Sequence, residues 1–165
     1  MSFQRKDYAE SKAQKKLTPS QAKVKIGAYC AYQERCQQEV RDKLYSYGLH
    51  SDEVEELISF LITEGFLNEE RFAQAFVGGK FRIKKWGRNK ILQELKLRKI
   101  SPNCIKAGMK EIDPEEYWGT LKGVFEKKWD SLKDKDNYIK RQKVMKYLLS
   151  RGFEMDLVQD VMRES

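Results

Sequence analysis

Three stretches of the chain, EVRDKLYSYGLHSDEVEELISF, KILQELKLRKISPNCIKAGMKE and KVMKYLLSRGFEMDLVQDVMRE, superimpose on their apolar positions without a gap. In the first half of each, Val40 and Leu44, Ile91 and Leu95, and Val144 and Leu148 stand four apart, which places them one turn apart on one helix face. A break follows, centred on Gly48, Lys99 and Gly152, and an apolar residue comes next: Leu49, Ile100 or Phe153. That order predicts a left-handed C-terminal cap that folds an apolar anchor back onto its own helix. A shorter helix then begins, with Val54, Ile105 and Val158 at its first inward position.

Upstream of each pair the sequence announces another helix: Thr18-Pro19-Ser20-Gln21, Asn68-Glu69-Glu70-Arg71 and Asp113-Pro114-Glu115-Glu116. Thr, Asn and Asp accept bonds from orphan amides, Pro suits the first helical position, and Gln21 and Glu116 are placed to close capping boxes. Four and eight residues on lie Ala22 and Ile26, Phe72 and Phe76, and Tyr117 and Leu121, the inward stripe expected of each leading helix. The unit is helix, helix, short helix, three times over, in residues 18–67, 68–112 and 113–165. The longer third unit takes its extra length in a polar loop over Asp130–Asn137. Units of this size are marginal alone, so they should stack into an elongated array. Residues 1–17, polar and rich in Lys and Gln, read as a disordered basic N-terminal arm.

Composition agrees with an all-α fold: three prolines and ten glycines are too few for a turn-rich sandwich or barrel, and 40% hydrophobic residues suffice for a packed interior. No apolar stretch approaches the roughly 20 residues of a spanning helix, and the first residues lack an apolar signal core, so a cytoplasmic protein with no membrane contact is expected. Cys30, Cys36 and Cys104 lack metal-ligand spacing and read as reduced packing residues. The single His50 falls in a turn and reads as a turn or cap residue. Asp52, Glu53, Glu55 and Glu56 crowd a helix start, where negative charge is favourable anyway. There is no G-x-S-x-G turn, no H-E-x-x-H helix and no phosphate loop; Gly78-Gly79 reads as a kink or a close helix contact. Neither enzyme activity, nor a cofactor, nor a metal is expected.

Charge changes the picture. The chain carries +8, and residues 80–99 alone hold nine basic side chains against Glu94, while residues 51–70 hold seven acidic ones and no Lys or Arg. Such a concentration repels itself unless a partner or another part of the molecule compensates it. The candidate interface is Lys80, Arg82, Lys84, Lys85, Trp86, Arg88, Lys90, Lys96, Arg98 and Lys99. In this region Phe72, Phe76, Ile83, Ile91, Leu92 and Leu95 should be buried, leaving Lys84, Lys85, Arg88, Lys90, Lys96 and Arg98 with their heads in water. Trp86 either packs over the adjacent unit, the favoured reading, or stacks on an unpaired base. Trp118 and Trp129 read as core between repeats.

Three stretches carry a resemblance to a known family: Gly65-Phe66-Leu67-Asn68-Glu69-Glu70-Arg71-Phe72-Ala73, Gly87-Arg88-Asn89-Lys90-Ile91-Leu92-Gln93-Glu94-Leu95 and Leu148-Leu149-Ser150-Arg151-Gly152-Phe153. In their order and spacing the chain resembles the RecX family of RecA-recombinase regulators, from about residue 20 to the end. The resemblance implies tandem three-helix repeats in a curved, elongated body, and a regulator without catalytic residues that binds the RecA filament along its groove. Two positions depart from the family pattern. Cys36 stands where a capping hydroxyl is usual at the second helix, and Lys99 where the second repeat usually has Gly.

The resemblance further implies a monomeric regulator of recombination, DNA repair and the SOS response, with the RecA-type recombinase filament and single-stranded DNA as partners. Duplex DNA would be held through its backbone. The expected action is inhibition of recombinase ATPase, strand exchange and coprotease activity. In that reading the basic second repeat, helped by the arm, anchors on the filament while the first and third repeats bridge neighbouring recombinase subunits. A sequence-independent nucleic-acid-binding protein without a recombinase partner, or an adaptor for an acidic protein, would use the same basic ridge.

Overall fold

A computed structural model describes residues 16–165. Among them the regular structure is helical: α1 (Pro19–Tyr32), α2 (Gln37–Ser46), α3 (Ser51–Thr63), α4 (Glu69–Arg82), α5 (Arg88–Leu97), α6 (Pro102–Met109), α7 (Pro114–Ser131), α8 (Asn137–Ser150) and α9 (Met155–Glu164). Of the expected N-terminal arm, residues 1–15 lie outside the described residues, while Leu17 donates its amide to the Tyr47 carbonyl at 2.8 Å and packs on the first core.

Helix starts are set by local chemistry. At α1 the capping box closes, with Gln21 N donating to Thr18 Oγ1 (3.2 Å) and Thr18 N to Gln21 Oε1 (3.1 Å). Asn68 and Asp113 accept from Arg71 N (2.9 Å) and Glu116 N (3.0 Å) at α4 and α7. His50 caps α3, its amide bonded to Glu53 at 3.2 Å. Cys36 gives α2 no side-chain cap; the carboxylate of Glu69 reaches across from α4 and accepts from Gln37 N at 3.3 Å. Burial raises the Glu69 carboxyl above its ordinary range.

The three breaks are left-handed, with φ of +86° at Gly48, +57° at Lys99 and +98° at Gly152. Ile100 N returns to Leu95 O and Phe153 N to Leu148 O, both at 3.2 Å, and Leu49, Ile100 and Phe153 are all buried. The six apolar positions of the second helices, from Val40 to Leu148, are fully buried, as are Val54 and Val158; Ile105 is half-buried.

The described chain forms two compact units whose boundary falls inside α4, after Phe72. In the first unit α1, α2 and α3 close over Ile26, Leu44, Val54, Leu61 and Leu67. In the second, the second and third repeats share one body. Tyr117 on α7 is its hub, its ring centroid 5.8 Å from Phe81 of α4 and 5.6 Å from Phe153 of the α8–α9 turn. α5 has no side-chain cap, and its first amides are satisfied from outside the repeat: Gly87 N donates to Arg151 O (2.8 Å) and Asn89 N to Gly152 O (2.9 Å). This approach requires glycine on both sides. A Cβ on Gly87 would come within 3.0 Å of the Gly152 and Phe153 backbone, and one on Gly152 would come 2.6 Å from Lys90 N.

Several expectations are corrected. Ile83, just past the end of α4, is 78% exposed, and Phe76, eight residues from the cap, is half-buried; of the stripe expected from the cap Phe72 faces the core, where Ala73, Val77 and Phe81 join it. Trp118 and Trp129 are half-buried flanking residues, with Trp129 stacked on Phe125 at 5.9 Å, while Tyr117, Leu121, Val124 and Phe125 form the core stripe. α4 runs through Gly78-Gly79 to Arg82, and a Cβ on either glycine would meet nothing within 4 Å beyond the flexible Arg82 side chain, so the pair makes neither a break nor a close helix contact. The polar loop of the third unit is shorter than expected, since α7 extends to Ser131 and Asp136 caps α8.

Candidate nucleoprotein interface

Residues 80–99 run from the last turn of α4, through a turn closed by Lys85 in a left-handed conformation (φ +56°), and along α5 to the break at Lys99. Two positive-φ lysines therefore bracket α5 and present their side chains where glycine would be the less strained choice.

The basic side chains divide by type. Arginines are turned to the protein. Arg82 donates to Glu111 O at 3.0 Å and lies 3.8 Å and 3.9 Å from the carboxylates of Glu111 and Glu116. Arg98 pairs with Glu94 at 2.8 Å and sits 4.8 Å over the Phe76 ring. Arg88, expected with its head in water, instead bonds Glu154 at 2.9 Å, and its guanidinium covers the Tyr117 ring at 3.9 Å. Tyr117 donates its hydroxyl to the other Glu154 oxygen and accepts from Arg88 N at 3.0 Å. Burial, followed by the bond to the Glu154 carboxylate, pushes the Tyr117 hydroxyl far above its ordinary pKa. The cause of the correction is tertiary: the start of α9 delivers a carboxylate 66 residues away in sequence.

Four of the segment's six lysines are left for the solvent. Lys84, Lys85, Lys96 and Lys99 are exposed, and among the described residues the segment's ion pairs are made by its arginines. Lys80 and Lys90 stand 4.9 Å and 4.3 Å from the Trp86 ring, a half-buried indole with two cations over it. The segment thus offers mobile point charges and one cation-flanked ring, which suits phosphates and acidic surfaces more than a bidentate, sequence-reading contact. Sequence reasoning found the cluster but missed Glu154 and Tyr117, which remove Arg88 from the free set; no local pattern marks a pairing across repeats.

Among the described residues no group of three or more His, Cys, Asp or Glu side chains could hold a metal ion. Cys30 and Cys36 are buried, and burial raises both thiols above their ordinary pKa. The cleft of about 380 Å³ between α8 and α9 is lined by Tyr138, Arg141, Met145, Met162 and Arg163 with two glutamines, and no carboxylate, thiol or imidazole lines it. Among the described residues no helix is long and apolar enough to cross a membrane.

Comparison with known proteins gives this architecture a family. Residues 23–61, 68–109 and 115–162 match the family models described as the first, second and third three-helix domains of RecX. A regulatory protein RecX of Clostridium perfringens (strain 13 / Type A) is 33% identical over 131 residues, 78% of this chain and 61% of that protein, so the chain spans about three-fifths of that relative's length. The regulatory protein RecX of Herminiimonas arsenicoxydans is 31% identical over 147 residues, 86% of this chain and 90% of that protein. The crystal structure of RecX from Lactobacillus salivarius superimposes with a TM-score of 0.76 at 24% identity, over 88% of this chain and 95% of that one, and shares the fold. Both relatives are named as regulatory proteins. With three consecutive domain matches on a helical fold, and a relative matched over nine-tenths of its length, the chain belongs to the RecX regulatory protein family.

Proposed function

We propose that this chain binds the filament that a RecA-type recombinase forms on single-stranded DNA and inhibits its ATP hydrolysis, strand exchange and coprotease activity, acting as a cytoplasmic monomer in DNA repair, recombination and SOS control. The observation that carries the reading is the exposed lysine set of the second domain, Lys84, Lys85, Lys96 and Lys99, in a chain of the RecX family. Arg82 and Arg88 of the same segment reach carboxylates of the third domain, Glu116 and Glu154, so the lysines supply the electrostatic anchor. The first and third domains then bridge neighbouring recombinase subunits and resist the rearrangement that nucleotide turnover requires. Substitutions that leave the Arg88 pair alone test this best: Lys84→Glu with Lys96→Glu should abolish filament binding with helicity unchanged.

The deciding experiment titrates the protein into single-stranded-DNA-dependent ATP hydrolysis by the recombinase. Inhibition well below one regulator per recombinase supports the reading; full turnover at equimolar protein overturns it. A second reading, a nucleic-acid-binding protein without a recombinase partner, draws on the cation-flanked Trp86. It predicts equal affinity for bare DNA and filament, and steep salt dependence with both.

A further inference from the structure

The first unit carries a second cationic and aromatic surface, unrelated to the lysines of the second domain. α1 contains no Asp or Glu. Its Lys25, Tyr29 and Tyr32 fall four and three residues apart on one face, and α2 adds Lys43 with Tyr47 one turn on. The two stripes meet. Lys43 Nζ lies 5.5 Å from the Tyr29 ring centroid and 5.9 Å from that of Tyr47; Lys25 Nζ is likewise 5.9 Å from Tyr47. The Arg35 guanidinium covers Tyr29 at 3.6 Å and stands 6.0 Å from Tyr32. Lys16 joins from the other side, packed beside Gly48 while the next amide bonds Tyr47 O.

Folding does not account for this surface. Tyr32 is 84% exposed, so its ring is open to solvent, and Lys16, Lys25 and Lys43 are exposed as well. Of the nearby carboxylates, Glu34 pairs with Arg71 at 2.6 Å and Asp42 accepts from Gln38 at 2.9 Å, while Glu39 lies close enough to Tyr29 to act on its hydroxyl. An acidic protein partner would use the lysines but has no need of an open tyrosine ring. A single-stranded nucleic acid uses both, because every base has a π-face and every linkage a charge.

We propose that this face of the first domain binds single-stranded nucleic acid, with a base stacked on Tyr32 and phosphates held by Lys16, Lys25 and Lys43. The site needs no recombinase, so it stands or falls apart from the function proposed above. Sequence tolerance follows from its chemistry, since neither stacking nor point charges read a base edge.

The test measures binding of the full chain to a fluorescent oligothymidylate by anisotropy across a salt series, alongside cross-linking of an iodouracil-substituted oligonucleotide mapped by mass spectrometry. Tyr32→Ala should weaken binding roughly five- to 150-fold, the worth of one stacked base. Lys25→Glu with Lys43→Glu should lower the slope of log affinity against log salt by about 1.4. All three side chains are exposed, so the variants should keep wild-type circular dichroism. The cross-link should map to Tyr32 and survive Lys84→Glu with Lys96→Glu, which separates this site from the second-domain lysines. Unchanged oligonucleotide binding by both first-domain variants overturns the proposal. So does loss of filament binding with bare-oligonucleotide affinity intact, which would assign the face to an acidic protein surface.

Discussion

Replacing Gly87 by Ala perturbs the junction on which the second and third domains depend. The new methyl would meet the Gly152 carbonyl and Phe153 amide closer than 3.0 Å, and these are backbone atoms that cannot rotate away. The start of α5 must therefore lift from the α8–α9 turn. Two backbone bonds are lost, Gly87 N to Arg151 O and Asn89 N to Gly152 O, at about 1 kcal/mol each. Strain from the displaced helix adds about 1–3 kcal/mol, and Phe153, fully buried at present, is partly uncovered. The sum is about 3–5 kcal/mol. All three tryptophans, Trp86, Trp118 and Trp129, lie in the unit that begins at Ala73, so tryptophan emission during urea unfolding reports on that unit alone. With an m-value of about 1.5 kcal/mol/M, the midpoint should fall by about 2 M or more. Gly79→Ala is the control. A Cβ there meets nothing within 4 Å and Gly79 lies inside α4, so the substitution should raise the midpoint, by up to about 1 kcal/mol in stability. A Gly87→Ala protein within about 1 kcal/mol of wild type would refute the reasoning that backbone contact joins these domains.

Lys99→Gly should stabilise the same unit by about 1 kcal/mol, since it relieves a left-handed φ of +57° at an exposed site; an unchanged or lower urea midpoint would count against strain there. Tyr117 makes stability depend on alkaline pH. Its folded pKa is raised, so the neutral hydroxyl's contribution is fully present below the ordinary value of 10.0 and is lost as pH climbs through the folded value. In a tyrosinate absorbance titration of the eight tyrosines, Tyr117 should ionise last and together with unfolding, and Tyr117→Phe should remove that component; its early ionisation in the folded state would contradict the buried bond to Glu154.

Much of the helical framework was legible because its determinants are local. Thr18, Asn68 and Asp113 accept from amides three residues on, and Val40 and Leu44 face one core because four residues make one turn. The left-handed break at Lys99 could be read despite its residue type, since the apolar pattern around it repeats that at Gly48 and Gly152. Ile83 shows where such reading stops. As an apolar residue it was expected in the core, yet it falls in the turn just past α4 while Phe81 inside the helix is buried, and which apolar residues are covered depends on what packs against them. The basic candidate site was equally legible as a concentration of charge, but which of its side chains pair within the fold, Arg82, Arg88 and Arg98, and which stay open to solvent, Lys84, Lys85, Lys96 and Lys99, was not.

The sequence by itself determined the helical periods, the caps of the three leading helices, the three left-handed breaks and the excess of positive charge in residues 80–99. Each follows from residues within a turn or two of one another. Tertiary structure alone decided that α5 would take its cap from the carbonyls of Arg151 and Gly152, and that Glu154 and Tyr117 would claim Arg88. It also brought the stripe of Lys25, Tyr29 and Tyr32 against Lys43 and Tyr47. These pairings join side chains from separate helices, and their geometry is set by how helices pack, which no local spacing along the chain encodes.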